Sequence, residues 1–367
     1  MKKILFTASS VGHIESFHLP YLHEFLSRGA SVTAAASGDP APLPEGVLFL
    51  PLPFRKSFFA LSNFRASVLL ARDIRKTGYD TVLCHTSLAA FFTRLGVILS
   101  GRRGIRVVNT VHGYLFDAHS SPLRRFVLLT AEKLCAGVTA DIVTMNRQDT
   151  NLARERRLCR GEIFFTDGMG VDASRFTPAD SADKAAARDA LSLPPDALVL
   201  LCAAEFSPRK NQAFLIRAMR SLPEDVFLLL PGDGELLSEC MALAGELGAA
   251  SRVRFPGRVS DVRPYLAAAD VCVSASRIEG LPFHAMEAMA SGLPCILSRV
   301  KGHEDLVSDG ACGLLYSYND ESGFLHCVDV LRSSAELRST LGRHALASME
   351  KRSLERILPV LAEFYLR

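Results

Sequence analysis

Residues 271–298 read VCVSASRIEGLPFHAMEAMASGLPCILS, and this stretch sets the fold class. Val271-Cys272-Val273-Ser274 is a short apolar run of strand type. Glu279-Gly280-Leu281 turns the chain, Pro282 stands near the first position of a helix, and Gly292 ends that helix before a second apolar run at 294–297. Strand, turn, helix and strand in so few residues make a β-α-β unit, whose two strands must run parallel. Strands apolar on both faces belong to a sheet covered by helices.

The same alternation recurs outward in both directions. Strand-like runs fall at 3–7, 31–36, 47–50, 81–85, 106–111, 142–145 and 163–165 in the first half. In the second they fall at 198–203, 226–230, 252–255, 271–274, 294–297 and 313–316. Between the halves, Phe176-Thr177-Pro178 gives way to an Ala/Asp/Lys-rich stretch and then Leu193-Pro194-Pro195. The chain of 367 residues is longer than one hydrophobic core normally supports. We therefore expect an α/β protein of two Rossmann-like domains, 1–175 and 176–349, facing each other across a cleft. A last helix at about 350–367 either finishes the second domain or crosses back to the first.

Composition narrows the class. The chain is 49% hydrophobic and 22% charged, with 25 Gly and 18 Pro dispersed along it, which excludes collagen, coiled coil and disorder. A net charge of +3 is too small to suggest a nucleic-acid partner, but the first 172 residues hold 21 Lys and Arg against 14 Asp and Glu. A basic first domain suits an anionic membrane surface or acceptor, and equally a solvated face. Nine cysteines without a C-x-x-C pair read as reduced core residues of a cytoplasmic protein. Arg94 interrupts the best apolar run, 88–99, so no spanning helix is expected. The start, MKKILFTASS, reads as a first strand rather than a signal peptide.

Chemistry concentrates after the strands. A glycine turn feeding a helix start at Gly280, Leu281 and Pro282 offers free backbone N–H groups and the positive end of the helix dipole to a diphosphate. Glu279 and Glu287 beside such a site accept from sugar and ribose hydroxyls, unless they are a cap and a solvated helix residue. Arg209 and Lys210, in the loop after 198–203, are placed to neutralise the same diphosphate. Gly232 and Gly234 permit close backbone approach, and Arg258 can frame a nucleobase. The stretch 55–76, with Arg55, Lys56 and Arg65, could lie on anionic lipid as an amphipathic helix, or simply pack on the first sheet.

The succession Glu205-x-x-x-Arg209-Lys210-Asn211, Gly232-Asp233-Gly234, Gly257-Arg258-Val259, Ala269-Asp270-Val271 and Glu279-x₇-Glu287 resembles the donor domain of family 4 retaining glycosyltransferases with the GT-B fold. The first half is similar to the branch that builds bacterial exopolysaccharide and capsule. That similarity rests on Gly12-His13-Ile14 with Phe17-His18-Leu19-Pro20, on Asn109-Thr110-Val111-His112-Gly113, on Asn146-Arg147-Gln148-Asp149 and on Gly168-Met169-Gly170. The resemblance implies transfer of a sugar from a nucleotide sugar, of the UDP type, to a lipid-linked or oligosaccharide acceptor with retention of configuration. It implies that Arg209 and Lys210 stabilise the departing diphosphate, that Glu287 holds the ribose and that Glu279 faces the donor sugar. His112 would lie near the transferred sugar, with a buried structural histidine as the alternative, and Gly12 and His13 in the loop that meets donor and acceptor.

No Asp-x-Asp and no metal-ligand spacing occurs along the chain, so no metal or other cofactor is expected in the reaction. Rival readings are a nucleotide-sugar epimerase or sugar phosphorylase of the same architecture, and a non-catalytic nucleotide-sugar-binding subunit. No G-x-G-x-x-G follows the first strand, which argues against nicotinamide chemistry.

Overall fold

A computed structural model describes residues 1–55, 57–117 and 120–367. They form two compact units, one of residues 1–170 with 355–367, the other of residues 171–354.

The first unit is built on seven strands: β1 (Lys3–Ser10), β2 (Ser31–Ser37), β3 (Leu48–Pro51), β4 (Thr81–His85), β5 (Arg106–Val111), β6 (Asp141–Thr144) and β7 (Ile163–Phe165). They pair in the order β3-β2-β1-β4-β5-β6-β7, all parallel. β1 runs past the expected residue 7 because Ser10 still pairs with Ser37. Its Oγ then accepts from the His13 N–H and caps the helix Val11–Phe17. On one face, Leu5, Ala35, Val82, Cys84 and Val107 bury against Ala66, Leu70, Ile74, Phe92 and Val97 of the helices Leu61–Thr77 and Ser87–Ser100. Each such large side chain stabilises the fold by about 1.5–3 kcal/mol.

The second unit has six strands: β8 (Leu198–Leu201), β9 (Val226–Pro231), β10 (Val253–Gly257), β11 (Val271–Ser274), β12 (Cys295–Ser298) and β13 (Gly313–Tyr316). Their order is β10-β9-β8-β11-β12-β13, all parallel. Both sheets thus reverse their strand order once, between β1 and β4 and between β8 and β11. In doubly wound sheets a ligand crevice opens at that reversal, outside the carboxyl ends of the strands.

The last helix, expected at about 350–367, starts at Leu354 because the chain is extended just before it. The helix Ala335–Met349 passes through one 3₁₀ turn, Glu350–Arg352, to an extended Ser353 that bridges Val171. The last helix, Leu354–Leu366, packs in the first unit. There Tyr365 Oη lies 2.8 Å from Thr110 Oγ1, Phe364 stacks on Phe164, and Arg106 donates to the Phe364 carbonyl at 2.6 Å. Buried Arg352 holds this junction by donating to the Asp305 carbonyl at 2.8 Å. All nine cysteines are free; Cys159 is partly exposed and the others are buried.

Candidate functional site

In the second unit the loops after β8 and β11 are tied at the backbone, where Arg277 N–H donates to the Arg209 carbonyl at 2.8 Å. This tie brings three predicted residues together. Arg209 Nη1 lies 2.7 Å from Glu279 Oε2, and Lys210 Nζ lies 2.8 Å from Glu279 Oε1. The Glu279 side chain is 6% exposed and that of Lys210 10%, whereas Arg209 keeps 38%, so its guanidinium has the most freedom to turn to a ligand. Burial pushes the Glu279 carboxyl up, but Lys210 and Arg209 outweigh it and hold the group well below the usual carboxylate range. The cluster is a buried anion carrying one more cation than it needs, which leaves net positive charge at the sheet edge for an anionic ligand.

The adjoining loop fixes these positions through its glycines. Gly232 and Gly234 have φ of 155° and 153°, and a Cβ on either would overlap the carbonyl oxygen of Ala204 or Phe206. Only glycine lets the loop after β9 lie this close to the one that carries Arg209 and Lys210. Gly280, Leu281 and Pro282 are buried in the turn before the helix Phe283–Ala290, with Pro282 at the N-cap. Arg258 is exposed just beyond β10.

Glu287 is one of two residues of that helix left partly exposed, its other neighbours along the helix being buried. Burial of its carboxyl raises the pKa to about 7, against a smaller opposing effect of Arg175. A carboxyl whose folded pKa is raised binds its proton more tightly in the fold than in the unfolded chain. Its ionisation therefore lowers stability as pH rises from the ordinary carboxyl range through about 7. Glu287→Gln is expected to melt above the wild type at about pH 8 and to match it at about pH 4, measured by thermal unfolding across that range.

In the first unit the carboxyl edge of β1, β4 and β5 gathers histidines. His13 and His112 rings lie 5.5 Å apart, and Gly12, in the first turn of the helix Val11–Phe17, has open space where a Cβ would stand. Two further histidines, His18 and His85, are fully buried beside them; His13 Nε2 is 3.3 Å from His18 Nε2, and His85 Nδ1 is 3.1 Å from His112 Nε2. Burial lowers the pKa of all four, His13 to about 4 and His112 to about 3, so they are neutral imidazoles at physiological pH.

The stretch expected to be helical from residue 55 starts its helix only at Leu61. Asn63 is the reason: its Oδ1 accepts from the Arg55 N–H, and its Nδ2 donates to the carbonyls of Arg55 and Ser57, which takes those backbone groups out of any helical ladder. Arg55 and Arg65 are exposed; Lys56 lies outside the described residues. The helix does pack on the first sheet, but Leu61, Phe64 and Val68 remain exposed, as do Leu123, Phe126 and Leu134 on the helix Pro122–Ala136. Among the described residues, no helix is long and apolar enough to cross a membrane.

Residues 21–162 match the family described as Glycosyltransferase Family 4, and residues 197–333 match that described as Glycosyl transferases group 1. The chain is 31% identical to EpsD of Bacillus subtilis (strain 168), a protein assigned to the glycosyltransferases, over 99% of this chain and 96% of that one. The chain belongs to glycosyltransferase family 4. It is also 27% identical to the UDP-Gal:alpha-D-GlcNAc-diphosphoundecaprenol alpha-1,3-galactosyltransferase of Escherichia coli, over 73% of this chain and 70% of that enzyme. Among solved structures, HepE of Anabaena in complex with UDP and glucose superposes with a TM-score of 0.81 at 21% identity, covering 99% of both chains. The fold of this family 4 transferase is accordingly GT-B.

Two residues beside the Arg209–Glu279–Lys210 cluster of this transferase escaped the sequence reading. His284, in the first turn after Pro282, has its Nδ1 3.4 Å from Lys210 Nζ, and His303 lies close enough to Glu279 to feel its charge. His303 Nδ1 donates to the Ser298 carbonyl at 2.7 Å, which fixes the tautomer and leaves Nε2 as an acceptor. Burial lowers both pKa values, that of His303 to about 4. The one available signal was position, since each follows a glycine turn on the same strand edge as Glu279.

Proposed function

We propose that this chain moves a sugar from a UDP-sugar to a lipid-linked or growing saccharide acceptor, with retention of configuration, in the assembly of a cell-surface polysaccharide. The observation that carries the reading is the Arg209–Glu279–Lys210 cluster at the carboxyl edge of β8 and β11. The galactosyltransferase of Escherichia coli uses a UDP-sugar by its name, and HepE is known with UDP and glucose, so the same donor class suits this cluster.

In the reaction the anomeric carbon exchanges its bond to the diphosphate oxygen for one to the acceptor oxygen, and the acceptor proton leaves on the diphosphate. Negative charge grows on the departing group; Lys210, held by buried Glu279, stabilises it as a fixed cation, and the more exposed Arg209 turns to it. The turn before the helix Phe283–Ala290 adds the backbone N–H groups of Gly280 and Leu281 and the positive end of the helix dipole, while Pro282 presets the turn and donates nothing. Glu279 and the His303 Nε2 accept from hydroxyls of the donor sugar, and Glu287 accepts from the ribose. His112 faces the transferred sugar, Gly12 and His13 meet donor and acceptor, and Arg258 frames the base.

The test is a panel of nucleotide sugars scored by thermal shift and by nucleotide release. One UDP-sugar should raise the melting temperature of the wild type, and Glu287→Ala should lose that shift while remaining folded. No shift with any nucleotide sugar would sink the donor assignment. Turnover of donor without an acceptor would favour the epimerase.

The acceptor side carries a second part of the proposal, peripheral attachment to the inner face of the cell membrane. The helices Leu61–Thr77 and Pro122–Ala136 both pack on Ser87–Ser100, and their outward faces combine Leu61, Phe64, Leu123 and Phe126 with the exposed cations Arg65, Arg72, Arg124 and Arg125. Exposed apolar side chains among cations suit an anionic interface. Sedimentation with anionic vesicles should exceed that with neutral vesicles and weaken as salt rises, and Phe126→Asp with Arg124→Glu should abolish it. Equal binding to both vesicle types would remove this part.

A further inference from the structure

We propose that His13, His18 and His112 form a binding site for a divalent first-row transition ion of the Zn²⁺ type. Each offers one ring nitrogen, and the three atoms lie within 4.8 Å of one another. The residues reach this point from separate places: His13 from the helix Val11–Phe17, His18 from the junction to the next helix, and His112 from the end of β5.

Geometry favours one shared ion. A tetrahedral ion with bonds of about 2.0–2.1 Å places neighbouring imidazole nitrogens about 3.3 Å apart and ring centres about 5.2 Å apart. His13 Nε2 and His18 Nε2 are 3.3 Å apart. The ring centres are 5.1 Å apart for His13 and His18, 5.3 Å for His18 and His112, and 5.5 Å for His13 and His112. The rings are inclined to one another by 55°, 72° and 90°, so they converge on a point rather than stack.

Donor chemistry sets the class of ion. Three imidazoles with no carboxylate suit Zn²⁺, Cu²⁺ or Ni²⁺ and disfavour Mg²⁺ and Ca²⁺. His85, 3.1 Å from a ring nitrogen of His112, supplies the outer hydrogen bond that orients a ligand imidazole. His18 Nδ1 and His85 Nε2, buried beside the ligand atoms with no hydrogen-bond partner among the described residues, lie on the far side of their rings and are not satisfied by the ion, so the site rests on the convergence of the three rings. The partial exposure of His13 provides the entry path. An ion held by His13 and His112 competes with the contacts proposed above for these two imidazoles and supplies no step of sugar transfer, and its binding can be tested without any transfer assay.

The experiment uses the full chain stripped with a chelator and titrated with Co²⁺ alone, then with Zn²⁺. The wild type should take up one equivalent of Co²⁺ with the intense visible bands of a tetrahedral imidazole site, and Zn²⁺ should displace them. His13→Gln, at a partly exposed position where folding is retained and checked by circular dichroism, should weaken uptake by about tenfold or more. His18→Ala should do the same. Absence of tetrahedral bands in the wild type would show a dry chain of N–H···N hydrogen bonds instead and overturn the site. Uptake unchanged in His13→Gln would assign the ion to exposed His23, His326 or His344 and overturn it equally.

Discussion

Lys210→Ala is expected to lower the rate of transfer by about 10²–10³-fold, the usual cost of removing one fixed group that stabilises developing charge. The loss should fall mainly on kcat, because the diphosphate gains its extra charge only as the sugar departs. The same substitution also leaves Glu279 buried with one cation instead of two, so a fall in stability of about 1–3 kcal/mol accompanies it. The two effects can be separated. In Lys210→Ala with Glu279→Gln the buried charge is gone with its partner, so urea unfolding should return toward the wild type while activity stays low. Initial rates at saturating donor and acceptor, set beside urea midpoints for both variants, decide the matter. Activity in Lys210→Ala above about a tenth of the wild type would show that Lys210 does not stabilise the leaving group.

The legibility of this molecule in its sequence depended on whether a feature was local. Strands, turns and helix starts are local: the run 271–298 shows its strand, its turn and its Gly292 stop within one β-α-β unit, and the parallel sheet follows from it. Arg209, Lys210 and Glu279 were readable because they stand directly after strands, where the topology puts every such loop on one edge. Their mutual pairing was not, since it depends on a backbone tie between residues 277 and 209. The glycines at 232 and 234 looked like ligand-approach residues; the fold also uses them to bring two loops together, a contact no turn pattern reveals. His13 and His18 stand five residues apart, but His85 and His112 reach them from the ends of two strands far along the chain, and no spacing in the sequence joins the four. The late start of the helix Leu61–Thr77 turned on the three bonds of a single side chain, Asn63.

Arg94 shows the same division and leads to the other large effect. In the sequence it is a charge that breaks an apolar run; in the fold it is completely buried, with Nη1 and Nη2 each 2.9 Å from the two carboxylate oxygens of Glu132, and its Nε donates to the Ala90 carbonyl at 3.0 Å. Burial alone would drive a guanidinium toward its neutral form, but Glu132 outweighs that and keeps it charged. Removing one partner of a buried pair strands the other in a medium that solvates it poorly, so Glu132→Ala should cost about 3–5 kcal/mol. An apolar replacement of both, Arg94→Met with Glu132→Leu, should restore most of that, because burying the pair has already cost each ion its hydration. The measurement is urea unfolding of the three chains, read as a midpoint shift at constant slope. A loss below about 1 kcal/mol in Glu132→Ala would mean that water reaches Arg94 and that the two helices are not locked together by this pair. With the loss as large as expected, Glu132→Ala should also loosen the helix Pro122–Ala136 from Ser87–Ser100, and vesicle binding through Leu123 and Phe126 should weaken although no residue of that face has been changed.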